Sequence, residues 1–226
     1  MTDKIEDVEP KEEAARPVHF AESKIVPLYP TPLFVGKLSD ITLCDRLEEL
    51  ILEKRKKKEG IFEAGNFATS DQLHVLPEFE EFTQLVMRET NHVMDFLKIK
   101  RDDHYVNGMW ANVTDPNHRH PIHLHPNNLL SGILYIKTPE KCGGTVFPDP
   151  RPAARVFEPS YEEIFELNAG KYVHPAVKGL MLIWPSWVPH GVERGFNETM
   201  EDRIAIAFNV QMIGKITTQT AKLELK

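Results

Sequence analysis

From about residue 105 onward the chain reads as a run of short strands, and this run limits the fold more than any other feature. Period-two or continuously apolar segments fall at Tyr105–Val113, Ile122–His125, Ser131–Lys137, Gly144–Phe147, Lys171–His174, Gly179–Trp184, His190–Val192 and Arg203–Met212, separated by Gly, Pro and Asn. Before them the texture is helical. Leu43, Leu47, Leu50 and Ile51 recur at a spacing of three to four, which predicts a helix over 41–58. Its basic end, Lys54–Lys58, suits the helix dipole, and Gly60 is expected as the cap. Phe79, Phe82, Val86, Val93 and Leu97 predict a second helix over 78–98, begun after Pro77. Shorter strands are expected at Lys24–Tyr29 and Thr31–Val35. Two helices followed by many strands make an α+β chain, and two sheets closed as a jelly roll, with the helices packed on one of them, is the natural solution.

Composition narrows the partners. A length of 226 residues, 41% of them hydrophobic, suits one sizeable domain. The net charge of −7 argues against nucleic acid or an anionic membrane as the main partner. No apolar run approaches the roughly 20 residues needed to span a bilayer. The two cysteines, Cys44 and Cys142, are too few for a disulfide framework and are compatible with a reducing, cytoplasmic setting. Residues 1–20 are acidic and poor in apolar side chains, so they are expected as a flexible arm, with residues 21–226 as the single domain. Residues 148–170, rich in Pro and Glu, are long for a connection and read either as a lid or as a plain surface excursion.

The chemistry concentrates in a few strands. Four histidines fall within eight residues, at 118, 120, 123 and 125. On a strand, His123 and His125 would project from one face and could grip one metal ion, because neutral imidazole is a common ligand of first-row metals. His118 and His120, beside Arg119 in a turn, read as loop or supporting residues. His190 sits in Pro-Ser-Trp-Val-Pro-His-Gly-Val, held at a strand edge between two prolines and a glycine, and could complete the site. In Arg203-Ile-Ala-Ile-Ala-Phe-Asn-Val, alternation places Arg203, Ala205, Ala207 and Asn209 on one face and Ile204, Ile206, Phe208 and Val210 on the other. The second face is core. The first leaves room for a ligand beside an arginine that can offer a carboxylate a bidentate fork. Tyr135 could hydrogen-bond the same ligand or be ordinary core.

In order, the chain carries Trp110-Ala-Asn112, His123-Leu-His-Pro-Asn, Ser131-Gly-Ile-Leu-Tyr-Ile, Phe147-Pro-Asp-Pro-Arg, Trp184-Pro-Ser-Trp-Val-Pro-His and Asp202-Arg-Ile-Ala-Ile-Ala-Phe-Asn. From about residue 25 to 213 this series resembles the 2-oxoglutarate/Fe(II)-dependent oxygenases of bacteria and phages, relatives of the prolyl hydroxylases. The resemblance implies a double-stranded β-helix of the jelly-roll, cupin-like kind. It implies Fe(II) and 2-oxoglutarate as cofactors, with O2 and a small-molecule or peptidyl substrate as partners. It places the metal on His123 and His190, with His125 standing where the remaining ligand is expected, and the 2-oxoglutarate carboxylate on Arg203 with help from Tyr135; Trp110, Asn112, Trp184 and Asn209 are expected either as pocket walls or as ordinary barrel core. A homo-oligomer is allowed.

His125 departs from that superfamily, which carries Asp or Glu at this position. Either His125 is the third ligand, or it stands behind the metal and Asp149, Glu193 or water fills the place. Three activities therefore stay open: hydroxylation coupled to 2-oxoglutarate decarboxylation, a three-histidine dioxygenase that does not use 2-oxoglutarate, and a non-catalytic metal-binding β-helix module.

Overall fold

The computed structural model describes residues 20–63, 65–115, 118–196, 198–217 and 221–226. The expected acidic arm lies outside the described residues except for Phe20. The chain separates into two units, Met1–Pro30 and Thr31–Lys226. In the first, residues 20–30 are exposed and form no helix or strand. The strand expected at Lys24–Tyr29 is therefore absent: Ile25 is 90% exposed, with nothing to bury against, and Pro27 lacks an N–H for a ladder.

In the second unit, β1 (Phe34–Lys37) leads to α1 (Thr42–Lys57), whose apolar stripe buries Cys44, Leu47 and Ile51. The helix stops at Lys58, which takes a left-handed conformation (φ 58°) and turns its N–H back to the Arg55 carbonyl. Gly60 is thus not the cap. It opens β2 (Gly60–Glu63), where the Ala68 carbonyl of β3 (Asn66–Thr69) lies 2.2 Å from where a Cβ would stand. Two short 3-10 turns precede α2 (Glu80–Phe96), which buries Phe82, Val86, Thr90, Val93 and Met94 on one face.

The remaining strands are β4 (Asp103–Thr114), β5 (His120–His123), β6 (Leu130–Lys137), β7 (Thr145–Pro148), β8 (Lys171–His174), β9 (Leu180–Pro185), β10 (His190–Val192), β11 (Arg203–Thr217) and β12 (Lys222–Leu225). They form two sheets. The larger runs β1-β9-β6-β11-β4-β3-β2, with β12 paired to β11, and the smaller runs β5-β10-β7-β8. This is the expected α+β jelly-roll plan. The hairpin β2–β3 was not legible beforehand, because every residue of Gly60–Glu63 is exposed and no apolar alternation marks it.

Strand β11 is the spine, paired on one side with β4 and on the other with β6. Ile204, Ile206, Phe208 and Val210 join Phe82, Val86 and Leu47 in the core between the large sheet and the helices. Each fully buried side chain of this size contributes roughly 1.5–3 kcal/mol. Ala205, on the opposite face, joins Ile133, Tyr135, Leu182, Trp184 and Phe147 in a second cluster. Phe147 comes from the small sheet and the other five from the large one, so this cluster ties the two sheets together. It also leaves space beside it for the cavity described next.

Candidate metal centre

The cavity, of about 90 Å³, has walls from both sheets: Trp110, Asn112, Thr114, Arg203, Ala205 and Ala207 from the large one, and His120, His123, Thr145, His190 and Val192 from the small one. The two alanines of β11 leave the room that larger residues would fill.

His123, His125 and His190 each present a ring nitrogen into one cluster, with the three atoms within 4.8 Å of one another. His123 and His190 come from paired strands, in direct register. His125 lies two residues past His123, beyond the end of β5, where the chain is no longer extended in a ladder. Its anchors are instead its own N–H, which donates to the Ser186 carbonyl at 3.3 Å, and the Trp110 ring stacked on it at 5.7 Å. The expectation that both histidines share a strand face therefore fails at its second member, while the convergence that it implied is present.

The Nδ1 atoms explain how the rings are aimed. That of His123 lies 2.9 Å from the Pro121 carbonyl, that of His190 2.9 Å from the Val188 carbonyl, and that of His125 2.6 Å from Asn209 Oδ1. Each partner is an acceptor, so each Nδ1 donates and each Nε2 keeps a bare lone pair. The Trp184 indole nitrogen also stands 3.2 Å from His190 Nδ1. One nitrogen cannot both donate and accept in these two contacts, and the shorter approach to the carbonyl decides for donation. The Nε2 atoms of His123 and His125 are 2.9 Å apart. Two adjacent ligands each about 2.1 Å from an octahedral ion would stand about 3 Å apart, so the spacing fits one first-row metal ion.

Protonation favours the same outcome. Burial pushes the His190 imidazole down to about 3, and burial likewise lowers His125, against the opposing effect of its bond to Asn209. Burial and the neighbouring histidines lower His120. The rings so depressed are neutral near pH 7, the form that coordinates metal.

Arg203 stands in the same cavity, 6% exposed, with its guanidinium carbon 5.2 Å from the centre of the Tyr135 ring. Its Nε and Nη2 have no hydrogen-bond partner, and among the described residues only His74 Nδ1 is similarly orphaned. A buried cation with two free donors calls for an anion. Among the described residues of the cavity wall there is no Asp or Glu. Asp149 accepts from the main chain and guanidinium of Arg151, and Glu193 pairs with Lys171, so neither stands in the wall.

The other expected residues divide. Trp110, Asn112 and Trp184 line the cavity, and Asn112 accepts from the Asn66 amide at 3.3 Å. Asn209 is not in the wall; it stands behind His125. The Tyr135 hydroxyl is fully buried and exchanges a 2.6 Å hydrogen bond with Thr145, so Tyr135 reaches the cavity through its ring under Arg203 and through that threonine. Ser131 and Ser186, which support Asn209, carry no sequence signal, because their pairing joins positions far apart in the chain. The segment 148–170 includes a 3-10 turn at Pro152–Arg155 and is otherwise mostly exposed.

Residues 108–209 match the model of a family described as "Putative 2OG-Fe(II) oxygenase". No curated protein sequence matches the chain. Among solved structures, a Pseudomonas putida prolyl-4-hydroxylase superposes with a TM-score of 0.59 at 12% identity, covering 81% of this chain and 94% of that one. A viral collagen prolyl hydroxylase from Paramecium bursaria Chlorella virus-1, solved with 2-oxoglutarate, gives 0.54 at 13%, covering 80% and 96%. HygX from Streptomyces hygroscopicus, solved with nickel and 2-oxoglutarate, gives 0.55 at 14%, covering 84% and 88%. At these identities the likeness is one of fold.

Proposed function

We propose, from the match of residues 108–209 to the 2-oxoglutarate/Fe(II) oxygenase family model, that the chain hydroxylates a substrate C–H bond with His123, His125 and His190 as the Fe(II) ligands and Arg203 as the 2-oxoglutarate anchor. The observation that carries this reading is the convergence of three bare Nε2 atoms beside a buried guanidinium with two unpartnered nitrogens.

When bound, Fe(II) and 2-oxoglutarate supply the oxidising chemistry, with 2-oxoglutarate, O2 and R–H giving succinate, CO2 and R–OH. The protein's part is placement. His123, His125 and His190 would hold the metal through their converging ring nitrogens. Arg203 would hold the far carboxylate of 2-oxoglutarate by its charge and its two free donors, and so orient the cosubstrate. The Tyr135 ring, its hydroxyl held by Thr145, lies against the guanidinium. Trp110, Ala205 and Ala207 give the cavity apolar walls that keep bulk water from the reacting atoms.

On this reading His125 is itself the third ligand, because no carboxylate of the described cavity wall competes for the position. The substrate is a small molecule or a peptidyl side chain. The acidic balance of the chain disfavours nucleic acid as the main partner.

The reaction is tested by measuring O2 uptake and succinate together in the Fe(II)-loaded protein. Succinate formed in step with O2, and lost in Arg203→Ala, is the expected result. O2 uptake with no succinate would move the chain to the dioxygenase class that ignores 2-oxoglutarate.

A further inference from the structure

His123 and His190 are oriented by the backbone of their own turns: each donates to the carbonyl two residues before it, Pro121 and Val188. His125 has no such local partner. Its Nδ1 meets the side-chain oxygen of Asn209, 84 residues away on β11, at 2.6 Å. That oxygen has two lone pairs. Ser131 Oγ donates to it as well, at 2.8 Å, and Ser131 Oγ lies 2.7 Å from Ser186 Oγ. Because Ser131 spends its one proton on Asn209, it accepts from Ser186. Both serines are buried, at 0% and 1% exposure, so water does not compete. Ser186 also accepts the His125 N–H through its main-chain carbonyl. A single buried cluster thus holds both the backbone and the ring of His125.

We propose that Asn209, held by Ser131 and Ser186, is the positioning residue that makes His125 a metal ligand. This rests on the three-histidine reading above. The Asn209 oxygen keeps the His125 proton on Nδ1 and leaves Nε2 bare. An amide turned the other way would present its NH2 to Nδ1, force the proton onto Nε2 and remove the ligand. By accepting the Nδ1 proton, the Asn209 oxygen also polarises the N–H of His125 and makes Nε2 more basic, while Ser131 holds the amide in the orientation that does so. That offsets part of the negative charge that a carboxylate would have brought to the same position. Of the three ligands, only His125 has its Nδ1 proton accepted by a side chain, so its strength is the most open to tuning by substitution away from the ring itself.

The test uses the full-length metal-free protein, with Co(II) as the probe in competition with a chromophoric chelator, and ¹⁵N NMR of the His125 ring. Wild type should show the Nδ1–H tautomer. Asn209→Leu should bind Co(II) about 10- to 100-fold more weakly. Asn209→Asp, which keeps an acceptor, should recover to within a few-fold of wild type. Ser131→Ala, which leaves the Asn209 contact but frees the amide, should lose several-fold. Wild-type His125 protonated on Nε2 overturns the proposal without any variant. So does a folded Asn209→Leu or Ser131→Ala protein that binds Co(II) as wild type does while His125→Ala binds weakly. If His125→Ala itself binds as wild type, the three-histidine reading has failed instead.

Discussion

His190 and His123 face each other across the antiparallel pairing of β10 with β5, with ring centroids 4.4 Å apart and tilted by 54°. Two of the three candidate ligands are therefore fixed by sheet hydrogen bonds, and the third hangs from a side-chain network past the end of a strand. The unequal support makes the three histidines unequal in what their removal should do.

His123→Ala and His190→Ala should abolish Fe(II) retention after anaerobic loading and gel filtration, measured as metal per chain. His125→Ala should leave a two-histidine site that binds weakly and loses its iron during the same filtration. The folds should survive, because none of the three rings belongs to the helix-side core. Iron content at the wild-type level in all three variants would show that the cluster is not the site.

Arg203 offers a pair of effects with opposite sign. Losing one partner of a buried charged contact costs about 2–5 kcal/mol, so Arg203→Met should weaken 2-oxoglutarate binding by at least about 30-fold in calorimetric titration. The same change removes a buried cation whose Nε and Nη2 have no partner among the described residues. Arg203→Met should therefore raise the melting temperature of the ligand-free protein while abolishing the rise that 2-oxoglutarate should produce in wild type. Arg203→Lys keeps the charge but loses the fork, and should fall between the two in affinity.

The buried histidines give a pH dependence with a definite sign. His190 titrates near 3 in the folded protein, against about 6.5 when exposed in the unfolded chain. Below 6.5 the unfolded state takes up the proton and the folded state does not. The stabilisation is full above that value and declines as pH falls toward 3, by on the order of 5 kcal/mol in all. His125 and His120 are shifted in the same direction and add to the slope. Denaturant unfolding of metal-free protein from pH 7 to pH 4 should show this decline, and His190→Gln should flatten it. An unchanged slope in that variant would contradict the assignment.

The two faces of β11 should separate stability from chemistry. Phe208 is fully buried against Phe82, with ring centroids 6.2 Å apart, and lies on the helix side of the sheet. Phe208→Leu should cost about 1–2 kcal/mol of stability and leave Co(II) and 2-oxoglutarate affinities at wild-type values. A loss of metal affinity equal to that of Asn209→Leu would show that the neighbouring position acts through packing alone.

These outcomes also mark how far the sequence could be read. The alternation of Arg203–Val210 was legible because period-two patterning and burial are the same constraint seen twice, and the faces fall as that pattern requires. The helices were legible for the same reason. His125 could be picked out as a candidate but not placed, because the strand ends at His123 and the partners that hold His125 beyond it come from distant parts of the chain. Asn209 sat on the correct face of β11, and its role still depended on Ser131, Ser186 and His125, three residues that only the closed fold brings together. Gly60 looked like a helix cap from its position after Lys58. Its actual use, close approach to the Ala68 carbonyl, required knowing of a hairpin with no apolar signature.

The central claim is that one ion and one 2-oxoglutarate meet between the three histidines and Arg203. Adding 2-oxoglutarate to the Fe(II)-loaded protein without oxygen, and recording the visible spectrum, tests it most directly. The account predicts a weak charge-transfer band in wild type, a diminished band in Arg203→Ala and none in His190→Ala. No band in wild type, together with no thermal stabilisation by 2-oxoglutarate, would contradict it.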